Sequence, residues 1–251
     1  MGVIKAQSGL FSILPTVDSS NNYATGAIHE GLAKHGQAWF ALEQTAGKGQ
    51  RGKHWISIAG ENLILSIVIR PGKALRAEPF MLSMITANIC RNILADITHA
   101  DIFIKWPNDI YWSDRKTGGI LIENIYKGHT LEWSVIGIGI NINQCVFEVA
   151  AGNAASVKQI IGKDSDPIII AKRLHENLLH EIDNLRDIVE VCNEYNGYLY
   201  KKEQVVRLKK QNSVFKTKIS GVNKYGQLLT KDIIERTFEV GDVEWIPPEE
   251  K

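Results

Sequence analysis

Three short segments hold residue types whose spacing could do chemistry: Gly47-Lys48-Gly49-Gln50-Arg51-Gly52-Lys53-His54-Trp55, Lys105-Trp106-Pro107-Asn108-Asp109 and Lys116-Thr117-Gly118-Gly119-Ile120-Leu121. Glycines in the first let backbone amides approach anionic oxygens, while Lys48, Arg51 and Lys53 offset charge. The second sets a lysine beside a carboxylate at a strand end or bulge, because Pro107 has no amide to give a ladder. In the third, Lys116 stands at the entrance to an apolar strand weakened by two glycines. Such glycines mark close approach of a ligand or of another backbone. Gly137-Ile138-Gly139-Ile140-Asn141 repeats the device with glycine at alternate places, so one face lacks side chains. Together these segments suit a phosphate and a carboxylate brought over a flat, largely apolar ligand. Each has a plainer reading: a solvated hairpin tip, ordinary Asn-Asp turn chemistry with Trp106 as core, and a helix packed on bare glycines.

Gly47, Gly49 and Gly52 also satisfy G-x-G-x-x-G, and Ala38 to Leu42 reads as a preceding strand. A dinucleotide site needs a helix directly after the last glycine. Lys53-His54-Trp55-Ile56-Ser57 and Gly60-Glu61-Asn62 leave no room for a helix of useful length, and no Gly-Lys-Ser/Thr follows to make a P-loop. The segment is therefore read as a flexible cationic loop able to fold over a ligand.

The elements that must position these segments follow from periodicity. Asp18-Ser19-Ser20-Asn21 caps a helix carrying Tyr23, Ala24, Ala27, Ile28 and Leu32, with Gly36 as its stop. Asn62 to Arg70 is a second strand, and Pro79 opens a long helix with Leu82, Ile85, Ile89 and Ile93 on one face. Strands around Ile102 to Tyr111, Thr117 to Ile125 and Leu131 to Asn141 are joined by turns too short for crossover helices, so neighbours should be antiparallel. Helices return from Pro167 to about Tyr200, with Leu174, Leu178, Ile182 and Leu185 on one side. Five short strands then follow, at Gln204 to Leu208, Val214 to Gly221, Gln227 to Thr230, Arg236 to Glu239 and Val243 to Ile246. They predict a small β-barrel that divides the chain into residues 1–196 and 197–251.

The 251 residues carry 29 basic and 28 acidic side chains, a formal charge of +1, so no overall field draws the protein to nucleic acid or an anionic membrane. Cys90, Cys145 and Cys192 are odd in number and far apart, without ligand spacing, which argues against a disulfide framework or zinc site. No signal core, myristoylation motif or membrane-length apolar run is read. A cytoplasmic protein with a packed core is expected.

At this point the order and wording of the segments resemble the catalytic domain of biotin protein ligases over nearly the whole chain. The likeness runs from Asp18-Ser19-Ser20-Asn21 and Gln44 through the loop to Trp55, then Lys105 to Asp109, Lys116 to Leu121, Gly137 to Asn141 and a small terminal barrel. The resemblance implies an α+β fold: a mainly antiparallel sheet with packed helices, then an SH3-like barrel. It implies attachment of biotin, with ATP and Mg²⁺, through biotinyl-5′-AMP to a lysine of the biotin carboxyl carrier domain of a biotin-dependent carboxylase. Lys116, Arg51, Lys105 and Asp109 would be catalytic. Ser19, Ser20, Asn21, Gln44, Lys48, Gly49, Gln50, Lys116, Gly118, Gly119, Gly137 and Gly139 would bind biotin. Arg51, Lys53, Trp55, Asn108 and Asn141 would take the adenylate, and the metal ligands are left unknown.

Two departures matter. Family loops read Gly-Arg-Gly-Arg-x-Gly-Arg, whereas Lys48, Gln50 and Lys53 take the arginine positions here; lysine loses the bidentate fork and glutamine the charge. The chain also begins only about seventeen residues before Asp18, so a helix-turn-helix domain and specific DNA binding are not expected. A homodimer is consistent with the resemblance. The rival readings are a lipoate ligase of the same fold and a nucleotide- or RNA-binding module with Lys201, Lys202, Lys209 and Lys210 on the barrel.

Overall fold

A computed structural model of the protein describes residues 4–5, 9–148 and 153–246. Strands β1 (Ile4–Lys5) and β2 (Phe11–Val17) lead into helix α1 (Ser20–His29) and strand β3 (Ala38–Gln44). After the glycine-basic loop come β4 (Leu63–Ile69), α2 (Lys73–Ala77) and α3 (Phe80–Thr98). Strands β5 (Ile102–Lys105), β6 (Asp109–Trp112), β7 (Arg115–Lys127) and β8 (Thr130–Ile140) follow, then helices α4 (Val157–Ile161), α5 (Pro167–Asp183) and α6 (Ile188–Gly197). The chain closes with β9 (Val205–Lys210), β10 (Ser213–Val222), β11 (Leu228–Lys231), β12 (Glu235–Phe238) and β13 (Glu244–Ile246).

The first eight strands form one sheet in the order β1-β2-β3-β4-β8-β7-β6-β5. Its pairs are antiparallel, as the short turns require, except that β2 and β3 run parallel with α1 as their crossover. Strand β2 has no counterpart among the elements expected from the sequence; Pro15 interrupts its otherwise apolar run. The apolar pattern also predicts a single strand around Ile102 to Tyr111. The structure turns there, at a cis Trp106–Pro107 bond, and pairs β5 with β6 in a tight hairpin, Lys105 facing Asp109.

Strand β4, Leu-Ile-Leu-Ser-Ile-Val-Ile, is buried at all seven positions because both faces of the sheet are covered. Leu63, Leu65, Ile67 and Ile69 join the core under α3, α5 and α6, while Ile64 and Val68 join a smaller core with Ala24 of α1, Trp39 and Trp133. Helix α1 is shorter than its expected cap-to-stop span. It ends at His29, Gly31 turns the chain at φ 71°, and Leu32 is left exposed.

Among the described residues one helix, α3, is long and apolar enough to cross a membrane, which corrects the expectation that no such run exists. Here it is a core helix: Met84, Ile85, Ala87, Cys90 and Leu94 are fully buried against the sheet and against α5 and α6.

The five terminal strands appear where the alternation places them, in one antiparallel sheet ordered β12-β11-β10-β9-β13 that fits an SH3-like unit. Leu208, Ile219, Val222, Leu228 and Phe238 belong to the same buried cluster as α3 and α6. The Trp106 indole donates to the Gly226 carbonyl at 2.8 Å, and Gly226 lies so close on Phe80 that a Cβ would come within 2.2 Å of the ring.

Candidate active site

On the α1 side of the sheet, beyond the end of that helix, a cleft opens over β4, β8 and β7. The facing register sets Gly139 beside Gly119 and Gly137 beside Leu121, so the floor is nearly without side chains. What fills the space above two of those glycines is protein. A Cβ on Gly137 would lie 2.5 Å from Asn21 Oδ1, and one on Gly139 would lie 2.6 Å from the Trp55 indole. The bare face thus admits the Asn21 carboxamide at one end and the Trp55 ring at the other. Gly118 has the opposite orientation: its missing side chain would meet Ile140 and Ile110, so it serves the core and not the cleft.

One end of the cleft is a hydrogen-bond network. The Ser20 hydroxyl donates to Gln44 Oε1 at 3.0 Å, and the Ser20 amide donates to the same oxygen at 2.7 Å. Ser66, the single polar residue of β4, donates to Asn21 Oδ1 at 2.6 Å and sits 2.8 Å from Ser20 Oγ. The Asn21 amide then donates to Glu123 Oε2 at 2.7 Å, and Glu123 Oε1 stands 3.4 Å from Lys48 Nζ. Ser19, Ser20, Asn21 and Ser66 are all buried. This network fixes which way the Asn21 carboxamide points. Ser66 and Glu123 were not among the expected residues; a serine or glutamate interrupting an apolar strand was the available signal.

The loop crosses the mouth. Gly47 is required where it stands, since a Cβ would be 2.4 Å from the Trp55 carbonyl oxygen and 2.8 Å from Gln44 Nε2. Lys48 bridges to His54, the Trp55 amide donates to the Gly47 carbonyl at 2.9 Å, and only one turn of 3-10 helix, Gln50–Gly52, intervenes. Lys48, Gly49, Gln50 and Trp55 line the cleft, whereas Arg51 does not. Arg51 adopts φ 56°, and its guanidinium lies on Gly241 of the β12–β13 turn. The Trp55 Nε1 is buried and has no hydrogen-bond partner among the described residues.

At the other end Lys116 Nζ is 2.6 Å from Asp109 Oδ1, both half-exposed, above Gly119. The same ammonium is 6.0 Å from the centre of the Trp55 ring. Asn108 donates from its amide to the Ile120 carbonyl at 2.7 Å and receives nothing but backbone order in return: Ile120 N donates to the Asn108 carbonyl at 2.9 Å. These bonds tie the β5–β6 turn to β7. Asn141 is buried and spends its amide on the Ala155 and Lys116 carbonyls, at 3.1 and 3.4 Å, so it braces the strand end and does not open on the cleft.

Lys105 is set back. Its ammonium donates to the Tyr111 hydroxyl at 3.0 Å, and burial pulls it below the ordinary lysine range; Asp109 opposes that shift, while Lys116 and Lys53 add to it. Lys53, Asp109, Asp114 and Lys116 therefore share one field with Lys105 at its centre. Such a cluster can offset the charge of a polyanion and the charge that builds as a phosphate is attacked.

Fold and site together define a cleft with a hydrogen-bonded polar end and a cationic end. A model of the biotin/lipoate A/B protein ligase family matches residues 13–141, just over half of the chain. The chain belongs to the biotin/lipoate A/B protein ligase family. It is 38% identical over 134 residues to the bifunctional ligase/repressor BirA of Escherichia coli, covering 53% of this chain and 41% of that protein. It is 38% identical over 163 residues to the biotin–[acetyl-CoA-carboxylase] ligase of Paracoccus denitrificans, covering 62% of this chain and 65% of the relative. The chain thus spans about two-fifths of the length of the first of these. Among solved structures, the biotin protein ligase from Aquifex aeolicus in complex with biotin and ATP superposes with a TM-score of 0.80 at 23% identity, over 95% of this chain and 99% of that one. At that identity the likeness speaks for the fold, including its terminal sheet.

Proposed function

We propose that the protein attaches biotin to a lysine of a biotin carboxyl carrier domain, with ATP, through a biotinyl-5′-AMP intermediate. The observation that carries this reading is the pairing of the two cleft ends: the Ser20–Gln44–Ser66–Asn21–Glu123 network, and the Lys116–Asp109 pair beside Lys105. A ureido ring presents two N–H donors and a carbonyl, and the network offers hydroxyl and amide groups to match them. A dithiolane ring presents none, so the polar end favours biotin over lipoate. Relatives named as biotin ligases support the same choice.

In this reading a biotin carboxylate oxygen forms a bond to the α-phosphorus while the bond to the β-phosphate oxygen breaks and pyrophosphate leaves. Lys116 offsets the charge between carboxylate and α-phosphate, Asp109 holds Lys116 in place, and Lys53, Arg51 and Trp55 belong to the loop over the nucleotide. The carrier amine then attacks the acyl carbonyl, AMP departs, and the amine proton passes to solvent. Among the described residues no group of three or more His, Cys, Asp and Glu side chains is placed to hold a metal. Asp109 and Glu123 are each engaged by a cation. A protein-built magnesium site does not fit, and Mg²⁺ would come with the nucleotide on its phosphate oxygens.

The reading includes a division of the chain into residues 1–196 and 197–251, a cytoplasmic location, and no specific DNA partner, for which the balanced charge gives no clustered phosphate contacts. The test is incubation with ATP, Mg²⁺ and biotin or lipoate together with a carrier domain, followed by intact-mass analysis. Modification of the carrier by biotin alone supports the reading; modification by lipoate alone replaces it with the lipoate-ligase reading.

A further inference from the structure

Lys105 has an unusual setting for a charged side chain. Its ammonium is 4.5 Å from the Tyr111 ring centre, 5.8 Å from that of Tyr200 and 5.4 Å from that of Trp245. The three rings touch in series, with centroids 5.1 Å apart for Tyr111–Tyr200 and 5.9 Å for Tyr200–Trp245. The only hydrogen bond of the ammonium among the described residues goes to the Tyr111 hydroxyl, and none of the ion pairs among them involves Lys105. Two walls come from near the main sheet: Tyr111 is on β6, and Tyr200 is fixed by its amide to the Ile104 carbonyl at 2.8 Å and by its hydroxyl to Asp114. The third wall, Trp245, is on β13, the last strand of the terminal sheet, where it pairs with Leu208.

We propose that Trp245 is a positioning residue for Lys105: the terminal sheet closes an aromatic cage that aims the ammonium at the leaving phosphates of a bound nucleoside triphosphate. The inference rests on the nucleotide reading above and adds what the terminal sheet contributes to it. Ring faces attract a cation without neutralising it, as a carboxylate partner would. A caged ammonium therefore keeps its formal charge for an incoming anion while its rotamers are already restricted. Lys105 senses Lys116 and Lys53, and three cations around one position suit a polyphosphate. Lys116, paired to Asp109 above the cleft floor, takes the α-phosphate side, which leaves Lys105, set back under the turn, for the β and γ groups. The buried Trp245 Nε1 has no hydrogen-bond partner among the described residues, so the ring is held there by packing alone.

The test is equilibrium binding of ATP and of AMP to the full chain by calorimetry. Trp245→Leu is expected to weaken ATP about tenfold and to leave AMP unchanged, because AMP lacks the groups that Lys105 meets. Trp245→Phe, which keeps a ring face, is expected to restore ATP binding. Lys105→Met leaves the rings in place and is expected to show the same ATP-selective loss, with no further loss when Trp245→Leu is added. An equal loss of ATP and AMP, a fully additive double variant, or unaltered ATP binding in Trp245→Leu would overturn the proposal. If the leucine variant does not fold, Lys105→Met alone decides: ATP binding equal to wild type overturns it. Biotinyl-AMP formation by the wild-type protein is read separately by mass, so a failure of the biotin reading is told apart from a failure of the cage.

Discussion

Lys116 separates two kinds of role most sharply. A half-exposed lysine bound only to Asp109 contributes little to stability, since exposed ion pairs are worth roughly 0–1 kcal/mol. A cation offsetting charge at the reacting phosphate is worth far more, on the order of the 10²–10³-fold lost with an oxyanion donor. Lys116→Ala should accordingly leave the melting temperature within a degree or two of wild type, about the shift expected for a few tenths of a kcal/mol, and lower biotin-dependent pyrophosphate release at least about 100-fold. Near-normal release would remove Lys116 from the chemistry. Gly137 gives the complementary case. Its Cα hydrogen faces an Asn21 carboxamide held from both ends by Ser66 and Glu123, so the carboxamide cannot swing aside. Gly137→Ala should cost about 1–3 kcal/mol in chemical denaturation and weaken biotin binding in parallel. Gly26→Ala in α1 meets nothing within 4 Å and serves as the control, with a gain of about 0.4–1 kcal/mol. A tolerated Gly137→Ala with normal biotin affinity would mean that Asn21 does not define the polar end.

Gln50 lines the cleft at a position where family loops carry arginine, and Arg51 beside it is occupied with Gly241. Fewer charge-assisted bonds hold the loop closed, each worth about 1.5–3 kcal/mol. Gln50→Arg should therefore slow the escape of preformed biotinyl-AMP on dilution by roughly tenfold; equal or faster escape would show that other contacts retain it. On the far side, α5 is pinned through His175, whose Nε2 lies 2.7 Å from the Gly36 carbonyl oxygen. Burial draws the His175 pKa down, with the Gly36 carbonyl pulling the other way. The unfolded chain then binds its proton first, near the ordinary value of about 6.5, so stability is full above that pH and falls as pH drops through the window toward the lower folded value. Denaturation midpoints across that window should fall less steeply for His175→Gln, and an identical slope would exclude His175 as the source. Most of these elements were legible in the sequence because their periods are clean: β4 and β8 as apolar runs, α3 and α5 as amphipathic helices, and all five terminal strands by alternation. What was not legible depends on partners distant in the chain. Phe11–Val17 is a strand only because β3 lies alongside it, and α1 stops at His29 because Gly31 turns there and Gly36 caps nothing. Nothing local distinguishes Gly118, which faces the core, from Gly119, which faces Lys116. Of the residues expected to meet a ligand, Asn141 spends its amide on carbonyls at the strand end and Gly118 faces the core, while Ser66 and Glu123 join the polar network from strands whose sequence is mainly apolar.

For the molecule as a whole, the main sheet and the terminal sheet are joined by one buried cluster and meet again at the site, through Arg51 on Gly241 and Lys105 against Trp245. The two ends of the cleft are thus built on partly different supports: α1, β3 and β4, with Glu123 of β7, hold the polar end, while the β5–β6 hairpin, the start of β7 and the terminal sheet hold the cationic end. In the proposed reaction the choice of acid and the activation of ATP draw on these partly separate residues and meet in one cleft. The most direct measurement is to incubate the protein with ATP and Mg²⁺ and an equimolar mixture of biotin and lipoate, without carrier, and to identify the acyl-adenylate by mass. Biotinyl-AMP without lipoyl-AMP is the predicted result. Lipoyl-AMP as the dominant product, or pyrophosphate release that neither acid stimulates, would contradict the account.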